Sequence, residues 1–265
     1  MARRKVARGS EYSGHRILVC NDDGIDSPGL KVLERVAKSL SPDVWVVAPQ
    51  TEQSAVSHSL TLSVPLRIRR LSRRRFAVEG TPTDCVVMAL TRVITGKRPT
   101  LLLAGVNRGA NLGEDVTYSG TIAAAIEGTL LGVPSIALSQ VFRFPEPVKW
   151  ATAEHHAADL VRKLLRAGWP ESVLININFP NLVATKVNGV EVASQGRRNM
   201  SELRTDERVD VRGVPYYWIG FRRHFGAPRP GSDLAAIAAG NISVTPLQID
   251  LTHGAARRAL RAALK

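Results

Sequence analysis

The feature that most constrains this chain is a regular alternation of short apolar runs with helix-like segments between Arg16 and Ile177. The apolar runs are short and rich in branched residues, which is typical of buried strands. Ser27 followed by Pro28 is typical of a helix start, with the serine as N-cap. Strands that alternate with helices favour a parallel sheet with helices on both faces, an α/β fold. Strands are predicted at 16–20, 44–48, 101–104, 135–138 and 173–177, and helices from 28 onward and at 82–95, 120–131 and 150–166.

The rest of the chain predicts one domain with an extension. Residues 1–14 predict a basic disordered tail, and 15–252 predict a single α/β domain. After about Asn181 the strand-like runs follow one another without helices, so 182–230 are interpreted as a β-rich extension for oligomer contacts. The smaller elements predicted are a basic hairpin at 64–78, strands at 187–192, 209–211, 216–219 and 241–247, a helix at 233–239, and a basic helix or tail at 253–265.

The charge of the chain is strongly positive. Thirty-six Lys and Arg residues against 23 Asp and Glu residues give a net charge of +13. A basic surface attracts anions such as nucleotides, polyphosphate or nucleic acid, although a solvated arginine-rich surface explains the same number. Aromatic residues make up only 5% of the chain and no nucleic-acid-binding motif is present, so no specific nucleic-acid partner is expected.

The composition predicts neither a membrane span nor an export signal. No run approaches the ~18 consecutive apolar residues that a transmembrane helix needs, and the basic N-terminal segment contains no apolar stretch. The two cysteines, Cys20 and Cys85, do not make a disulfide framework and are interpreted as small buried residues. We therefore expect a cytoplasmic protein with no membrane partner.

Two adjacent carboxylates follow the first predicted strand directly, in the run Asn21-Asp22-Asp23-Gly24. Ligands of doubly wound sheets bind beyond the carboxyl ends of the strands, where the strand order reverses. Paired carboxylates there indicate a hard divalent cation such as Mg²⁺ or Mn²⁺. The alternative is a helix-entry turn with two solvated aspartates.

Two more polar clusters follow the next core strands. After the second strand come Ser54, a possible neutral oxygen ligand, and His58, which could orient a phosphate or simply bond to loop backbone. After the third strand comes Asn107, whose amide oxygen could join the same metal. The glycines around Asn107 match neither the dinucleotide fingerprint nor the Walker A pattern, although they allow close approach of a ligand.

A possible anion site opens the helix predicted at 120–131. Tyr118-Ser119-Gly120-Thr121 places hydroxyl groups and backbone N–H groups at a helix N-terminus, which favours a phosphate. The alternative is an ordinary N-cap by Ser119 or Thr121. Oxygen ligands from three strand ends beside an anion site are the components needed for metal-assisted hydrolysis of a phosphate ester.

Several motifs follow one another in order from about Arg16 to Thr252. They are Ile-Leu-Val-Cys-Asn-Asp-Asp-Gly-Ile from Ile17, Ala48-Pro49 through Ser54 to His58-Ser-Leu-Thr61, Gly80-Thr-Pro-Thr-Asp-Cys85, Gly105-Val-Asn-Arg-Gly-Ala-Asn-Leu-Gly113, Tyr118-Ser-Gly-Thr121 through Glu127-Gly128, Ile242-Ser-Val-Thr-Pro-Leu247 and Asp250-Leu-Thr252. Together these motifs resemble the SurE family of metal-dependent nucleotidases and phosphatases. Relative to many members, Ala104 replaces serine, Ser57 replaces glycine, and Ser232-Asp233 replaces Thr-Asp.

The resemblance implies a Rossmann-like three-layer α/β/α core and hydrolysis of nucleoside 5′- and 3′-monophosphates, with short polyphosphate as a further substrate. It implies one divalent metal per subunit and assembly into homodimers or homotetramers. Asp22 and Asp23 would also be the catalytic residues, one of them accepting the proton of the attacking water. The implied metal ligands are Asp22, Asp23, Ser54 and Asn107, and the implied phosphate contacts are Asn111, Ser119, Gly120, Thr121 and His58.

The residues themselves leave three alternatives open. A carboxylate can attack phosphorus directly and form an aspartyl-phosphate, in place of attack by water. The positive charge also fits a nucleic-acid-binding protein without catalysis. Finally, a metal-dependent glycosyl or sugar-phosphate enzyme can use the same fold, because a fold does not determine a function.

Overall fold

The computed structural model describes residues 14–197, 203–221 and 227–264. The basic tail predicted at 1–14 lies almost entirely outside these residues. The described strands are β1 Arg16–Cys20, β2 Asp43–Pro49, β3 Ile68–Ser72, β4 Arg75–Val78, β5 Leu101–Arg108, β6 Ser135–Gln140, β7 Val173–Phe179, β8 Gly189–Val192, β9 Leu203–Val209, β10 Pro215–Phe221 and β11 Asn241–Gln248. Nine of them form one sheet in the order β3-β4-β2-β1-β5-β6-β7-β11-β8, and the other two form a separate hairpin, β9–β10.

The helices begin where the sequence signals predicted. Ser27 accepts the backbone N–H of Leu30 ahead of the first helix, and Thr81 forms a capping box with Asp84 ahead of the second. The second helix is shorter than predicted, because a π-helical turn replaces it from Ala89 to Val93. The helices are α1 Pro28–Leu40, α2 Pro82–Met88, α3 Gly120–Leu130, α4 Trp150–Ala167, α5 Asp233–Ala238 and α6 Gly254–Ala263.

The sheet buries both of its faces, which produces the predicted three layers. In β1, Ile17 and Val19 pack on the side of α1 and α4, whereas Leu18 and Cys20 pack on the side of α2 and α3. Strand side chains alternate between faces, so a strand covered on both sides reads as a continuous apolar run. The α/β fold is therefore confirmed. Cys20 and Cys85 are both buried and free, as predicted.

Part of the predicted β-rich extension belongs to the main sheet. β11 pairs antiparallel with β7 and parallel with β8, so both strands extend the core sheet. Among the strands of the described residues, β9 and β10 stand apart as an antiparallel hairpin, with Val209 opposite Pro215. The strand predicted at 209–211 in fact ends at Val209, because Asp210 and Gly213 form the hairpin turn. No helix in the described part of the chain is long and apolar enough to cross a membrane.

The order of the strands fixes the position of the functional site. β1 lies between β2 and β5, so the chain moves to one side of β1 first and to the other side afterwards. Such a reversal opens a crevice at the carboxyl ends of the two central strands. Asp22 and Asp23 leave the end of β1 at this crevice, and Asn107 lies near the end of β5.

Candidate functional site

A cavity of about 660 Å³ opens at this edge of the sheet. Three of the sequence-predicted site residues, Gly120, Thr121 and His58, lie outside its lining. The other six line it: Asp22, Asp23, Ser54, Asn107, Asn111 and Ser119.

Backbone hydrogen bonds bring the separate segments together at the cavity. The N–H of Gln53 donates to the carbonyl of Asp22 at 2.8 Å, which places the loop containing Ser54 beside the end of β1. The N–H of Arg108 donates to Oδ2 of Asp23 at 3.0 Å, which ties the end of β5 to the same place. A bulge between Ala104 and Asn107 interrupts the pairing of β5 with β6. Bulges of this kind redirect side chains beside functional sites.

Asp22 is a buried acid with unusual electrostatics. Only 5% of the residue is exposed, and this burial raises the pKa of its carboxyl to about 7. The hydroxyl of Thr121 donates to Oδ1 of Asp22 and opposes the rise, whereas the charge of Asp23 adds to it. Burial raises the pKa of Asp23 as well, and the N–H of Arg108 works against that rise. Two adjacent desolvated carboxyl groups favour a site for a positive charge.

The N-terminus of α3 packs directly against Asp22. A Cβ atom on Gly120 would lie 2.7 Å from Cβ of Asp22, so only glycine allows this approach. Ser119 caps the helix by accepting the N–H of Ile122 at 3.1 Å. Gly120 and Thr121 therefore position Asp22, while Ser119 faces the cavity.

Asn111 is held in place by a buried network of amide groups. Its backbone N–H donates to Oδ1 of Asn178 at 2.9 Å, and its carbonyl accepts from Nδ2 of both Asn176 and Asn178. Its own side chain donates to Oγ of Ser139 at 2.8 Å. Buried amides that satisfy one another rigidify a site. Asn111 is thus fixed in the cavity wall by β6 and β7.

The loop that contains Ser54 folds back over α3. The backbone N–H of Ser57 donates to the carbonyl of Tyr118 at 3.1 Å, and Nε2 of His58 lies 2.8 Å from Oε2 of Glu127. Ser57 has a φ of +55°, a left-handed conformation that favours glycine. Oγ of Ser54 donates to Oε1 of Glu52 at 2.7 Å. His58 therefore contacts Glu127 of α3 and does not line the cavity.

The donor set suits a hard divalent cation. Asp22 and Asp23 both line the cavity, and the hydroxyl of Thr121 and the N–H of Arg108 each hold one carboxylate oxygen in place. Nδ2 of Asn107 donates to the carbonyl of Gly109 at 3.2 Å, which leaves Oδ1 as the ligand atom. Nowhere in the described residues, this cavity included, do three or more His, Cys, Asp or Glu side chains form a group that could hold a metal, so the donor set here consists of two carboxylates and neutral oxygens. All-oxygen donors with two carboxylates fit Mg²⁺ or Mn²⁺.

A family model described as "Survival protein SurE" matches residues 17–202. The chain belongs to the SurE family. A protein of Parvibaculum lavamentivorans named 5′-nucleotidase SurE is 58% identical over 251 residues, which are 94% of this chain and 91% of that protein. A protein of the same name from Paramagnetospirillum magneticum is 57% identical, over 96% of this chain and 97% of that one.

Solved structures agree with this assignment. The crystal structure of SurE protein from Aquifex aeolicus superposes with a TM-score of 0.80 at 38% identity, covering 94% of this chain and 100% of that one. Membership of the SurE family, predicted from the motifs, is therefore confirmed. Two departures from the family pattern have visible roles: Ser57 occupies a left-handed position, and Ser232 still caps α5 by accepting the N–H of Ala235.

The rest of the cavity lining includes residues to which the sequence analysis assigned no role. They include an acid, Glu52, and a cation, Arg108, each within two residues of a predicted metal ligand. The aromatic side chains in the lining are Tyr118, Phe142 and Trp150. Phe142 follows β6 by two residues, and proximity to a strand end was the available signal for it.

Proposed function

We propose that this protein is a metal-dependent 5′-nucleotidase that hydrolyses nucleoside 5′- and 3′-monophosphates to nucleoside and phosphate, and also short polyphosphate. The observation that carries the proposal is the pair of desolvated carboxylates, Asp22 and Asp23, at a cavity large enough for a nucleotide. The names of the two relatives, both 5′-nucleotidase SurE, support the same activity.

Asp22, Asp23, Ser54 and Asn107 are the proposed ligands of one Mg²⁺ or Mn²⁺ ion per subunit. When bound, the ion supplies a Lewis acid that polarises the phosphoryl oxygens and lowers the pKa of a water molecule. The buried environment supports this role, because an acid whose pKa is raised by desolvation gains from a nearby cation.

Residues of the chain bind the phosphate and accept the proton of the attacking water. The backbone N–H groups and the helix dipole at the N-terminus of α3 favour binding of the substrate phosphate, and Ser119 adds a hydroxyl group at this position. Asn111 offers a side chain already fixed by Ser139. Asp22 or Asp23 accepts the proton of the attacking water, because both carboxylates line the cavity beside the proposed phosphate position. Positioning and charge neutralisation carry most of the reduction of the barrier in phosphoryl transfer.

A panel of substrates tests the activity. Phosphate release is measured from mononucleotides, sugar phosphates and polyphosphate, with Mg²⁺, with Mn²⁺ and with EDTA. We expect release from AMP and GMP with metal and none with EDTA. Activity that persists in EDTA would contradict the proposed metal dependence. A protein that binds nucleic acid but releases no phosphate from any substrate would contradict the proposed phosphatase activity.

The route of attack is a separate question. We propose direct attack by water, and rapid quench of the reaction with radiolabelled phosphate separates this route from an aspartyl-phosphate. Trapping of a phosphoenzyme at a rate that matches turnover would overturn direct attack. Turnover without such a species supports it.

We also propose that the protein forms a homodimer or homotetramer through the hairpin β9–β10. Trp218 and Ile219 are consecutive and therefore lie on opposite faces of β10, yet they are 63% and 71% exposed. Large exposed apolar patches mark interaction surfaces. Sedimentation of the double variant Trp218→Ser, Ile219→Asp should show a smaller assembly than the parent, and an unchanged mass would contradict this role of the hairpin.

A further inference from the structure

The cavity has an aromatic wall that neither the metal nor the phosphate explains. This wall contains Pro28, Phe142, Val148 and Trp150, and the side chains of Phe142 and Trp150 are half-buried. We propose that Phe142 and the guanidinium of Arg108 form a stacking platform for the nucleobase of the substrate. This inference rests on the proposed function and deepens it, because the platform would make the enzyme select nucleotides over other phosphate esters.

The sheet brings the two side chains of the platform together. β5 and β6 are neighbouring parallel strands, and Arg108 is paired with Gln140 at their carboxyl ends. Phe142 follows two residues later, so it leaves the sheet at the same edge as Arg108. The guanidinium carbon of Arg108 lies over the ring of Phe142, 5.0 Å from the ring centroid. This distance is within the range of a cation–π contact.

The platform begins beside the proposed catalytic centre. Arg108 follows Asn107 directly, and its backbone N–H holds Oδ2 of Asp23 at 3.0 Å. A nucleotide with its phosphate at Asp23 and Ser119 would therefore extend its base along the wall that contains Phe142. The cavity of about 660 Å³ lies within the range that binds whole small ligands, which is much larger than a phosphate group requires.

The chemistry of the pair suits a flat heterocycle. Bases stack on aromatic rings and on guanidinium planes, and this contact tolerates any base because each one has a π-face. Burial raises the pKa of Asp23 and the charge of Arg108 helps to lower it, while the guanidinium of Arg108 lies over the ring of Phe142. Phe142 is half-buried, which reduces the conformational freedom that it loses when a base stacks on it.

The test compares a nucleotide with the same sugar phosphate that lacks a base. Phe142→Leu keeps an apolar side chain but removes the ring, whereas Phe142→Tyr keeps the ring. We expect Phe142→Leu to raise KM for AMP about fivefold or more. Its kcat for AMP and its KM for ribose 5-phosphate should stay within about twofold of the parent values, which is the scatter of small context effects. Phe142→Tyr should behave like the parent.

Phe144→Leu is the matched control. Phe144 lies on the same loop, is 82% exposed and does not line the cavity, so this variant should retain the parent values for both substrates. Circular dichroism and thermal unfolding verify that each variant is folded. An unchanged KM for AMP in Phe142→Leu would overturn the platform. An equal rise of KM for AMP and for ribose 5-phosphate would also overturn the platform, because Phe142 would then have a structural role or a role in binding the phosphate.

A binding measurement separates this inference from the proposed function. Calorimetric titration in EDTA, where no turnover is expected, gives the Kd of AMP and of ribose 5-phosphate for the parent and for Phe142→Leu. A weaker Kd for AMP alone supports the platform even if the parent releases no phosphate, which is the outcome that would defeat the proposed function. An AMP Kd that does not depend on Phe142 overturns the platform even if the enzyme is an active nucleotidase.

Discussion

Replacing Asp22 with asparagine should stabilise the metal-free protein at neutral and alkaline pH while removing its activity. Asp22 is buried at the sheet edge, and desolvation is the main reason that its pKa rises to about 7 from an ordinary value of 3.8. Thr121 opposes the rise by donating its hydroxyl to the carboxylate, and the charge of Asp23 reinforces it. Asparagine has nearly the same shape, carries no charge and can accept the same hydroxyl.

The sign and size of the effect follow from the two pKa values. Between about pH 4 and pH 7, the unfolded chain has released the Asp22 proton while the folded protein still holds it, so stability falls as the pH rises. Above pH 7 the folded protein is ionised too, and the penalty becomes constant. One pKa unit corresponds to about 1.4 kcal/mol, so the penalty in the metal-free protein reaches an upper limit of about 4 kcal/mol. Asp22→Asn removes this penalty.

Urea unfolding in EDTA between pH 5 and pH 9 measures the effect. The free energy of unfolding of Asp22→Asn minus that of the parent should grow from pH 5 to pH 7 and then level off. Asp26→Asn is the matched control, because Asp26 is exposed on the same loop and its replacement should leave the pH dependence of the parent unchanged. A variant that is less stable than the parent at pH 8 would refute the reasoning, because burial would then not be the dominant effect on Asp22.

Three further substitutions probe the same centre. Gly120→Ala should abolish most of the phosphate-release activity and lower the free energy of unfolding by about 1–3 kcal/mol, because the new Cβ would lie 2.7 Å from Cβ of Asp22. A fully active Gly120→Ala variant would show that α3 can move away from Asp22. Thr121→Val should weaken Mn²⁺ binding in calorimetry, whereas Thr121→Ser keeps the hydroxyl that contacts Asp22 and should bind like the parent. Ser54→Ala should reduce kcat less than Asp22→Asn does, since water can replace a neutral ligand. If Ser54→Ala instead abolishes turnover without weakening Mn²⁺ binding, Ser54 acts directly on the substrate.

Local signals predicted the core strands and the helix starts well. β1 was predicted to its last residue, and α1 begins at Pro28 with Ser27 as its cap, because both features depend on neighbouring residues alone. The placement of Asp22 and Asn107 at one edge was also predictable, since the carboxyl ends of parallel strands share an edge. The division of the sheet into two buried faces follows from the same apolar runs.

Long-range pairing was not predictable from local pattern. β8 lies within the segment that was interpreted as an extension, yet it joins the main sheet by pairing with β11, which pairs with β7. The local sequence of a short strand does not specify which strand it pairs with, so the periodicity of the sequence does not predict the sheet to which it belongs. The amides of Asn176 and Asn178 that hold Asn111 were missed for a related reason. Their spacing of two residues does indicate one face of a strand, but the partner lies more than sixty residues away.

The hydrophobic cores on the two faces of the sheet explain how the chain tolerates a buried carboxylate, Asp22, next to a half-buried one, Asp23. The apolar side chains of β1 pack on both sides of the sheet, so the end of this strand is fixed by packing that does not involve the site. The hydroxyl of Thr121 and the N–H of Arg108 then hold one oxygen of each carboxylate in place. Because the frame does not depend on these charges, neutralising Asp22 should change stability mainly through desolvation of its carboxyl, with a smaller opposing effect of Thr121 and a smaller added effect of Asp23. The same desolvation that destabilises the free Asp22 carboxylate increases the free energy that a bound cation gains, so Asp22→Asn should raise stability without metal and lower the affinity for metal.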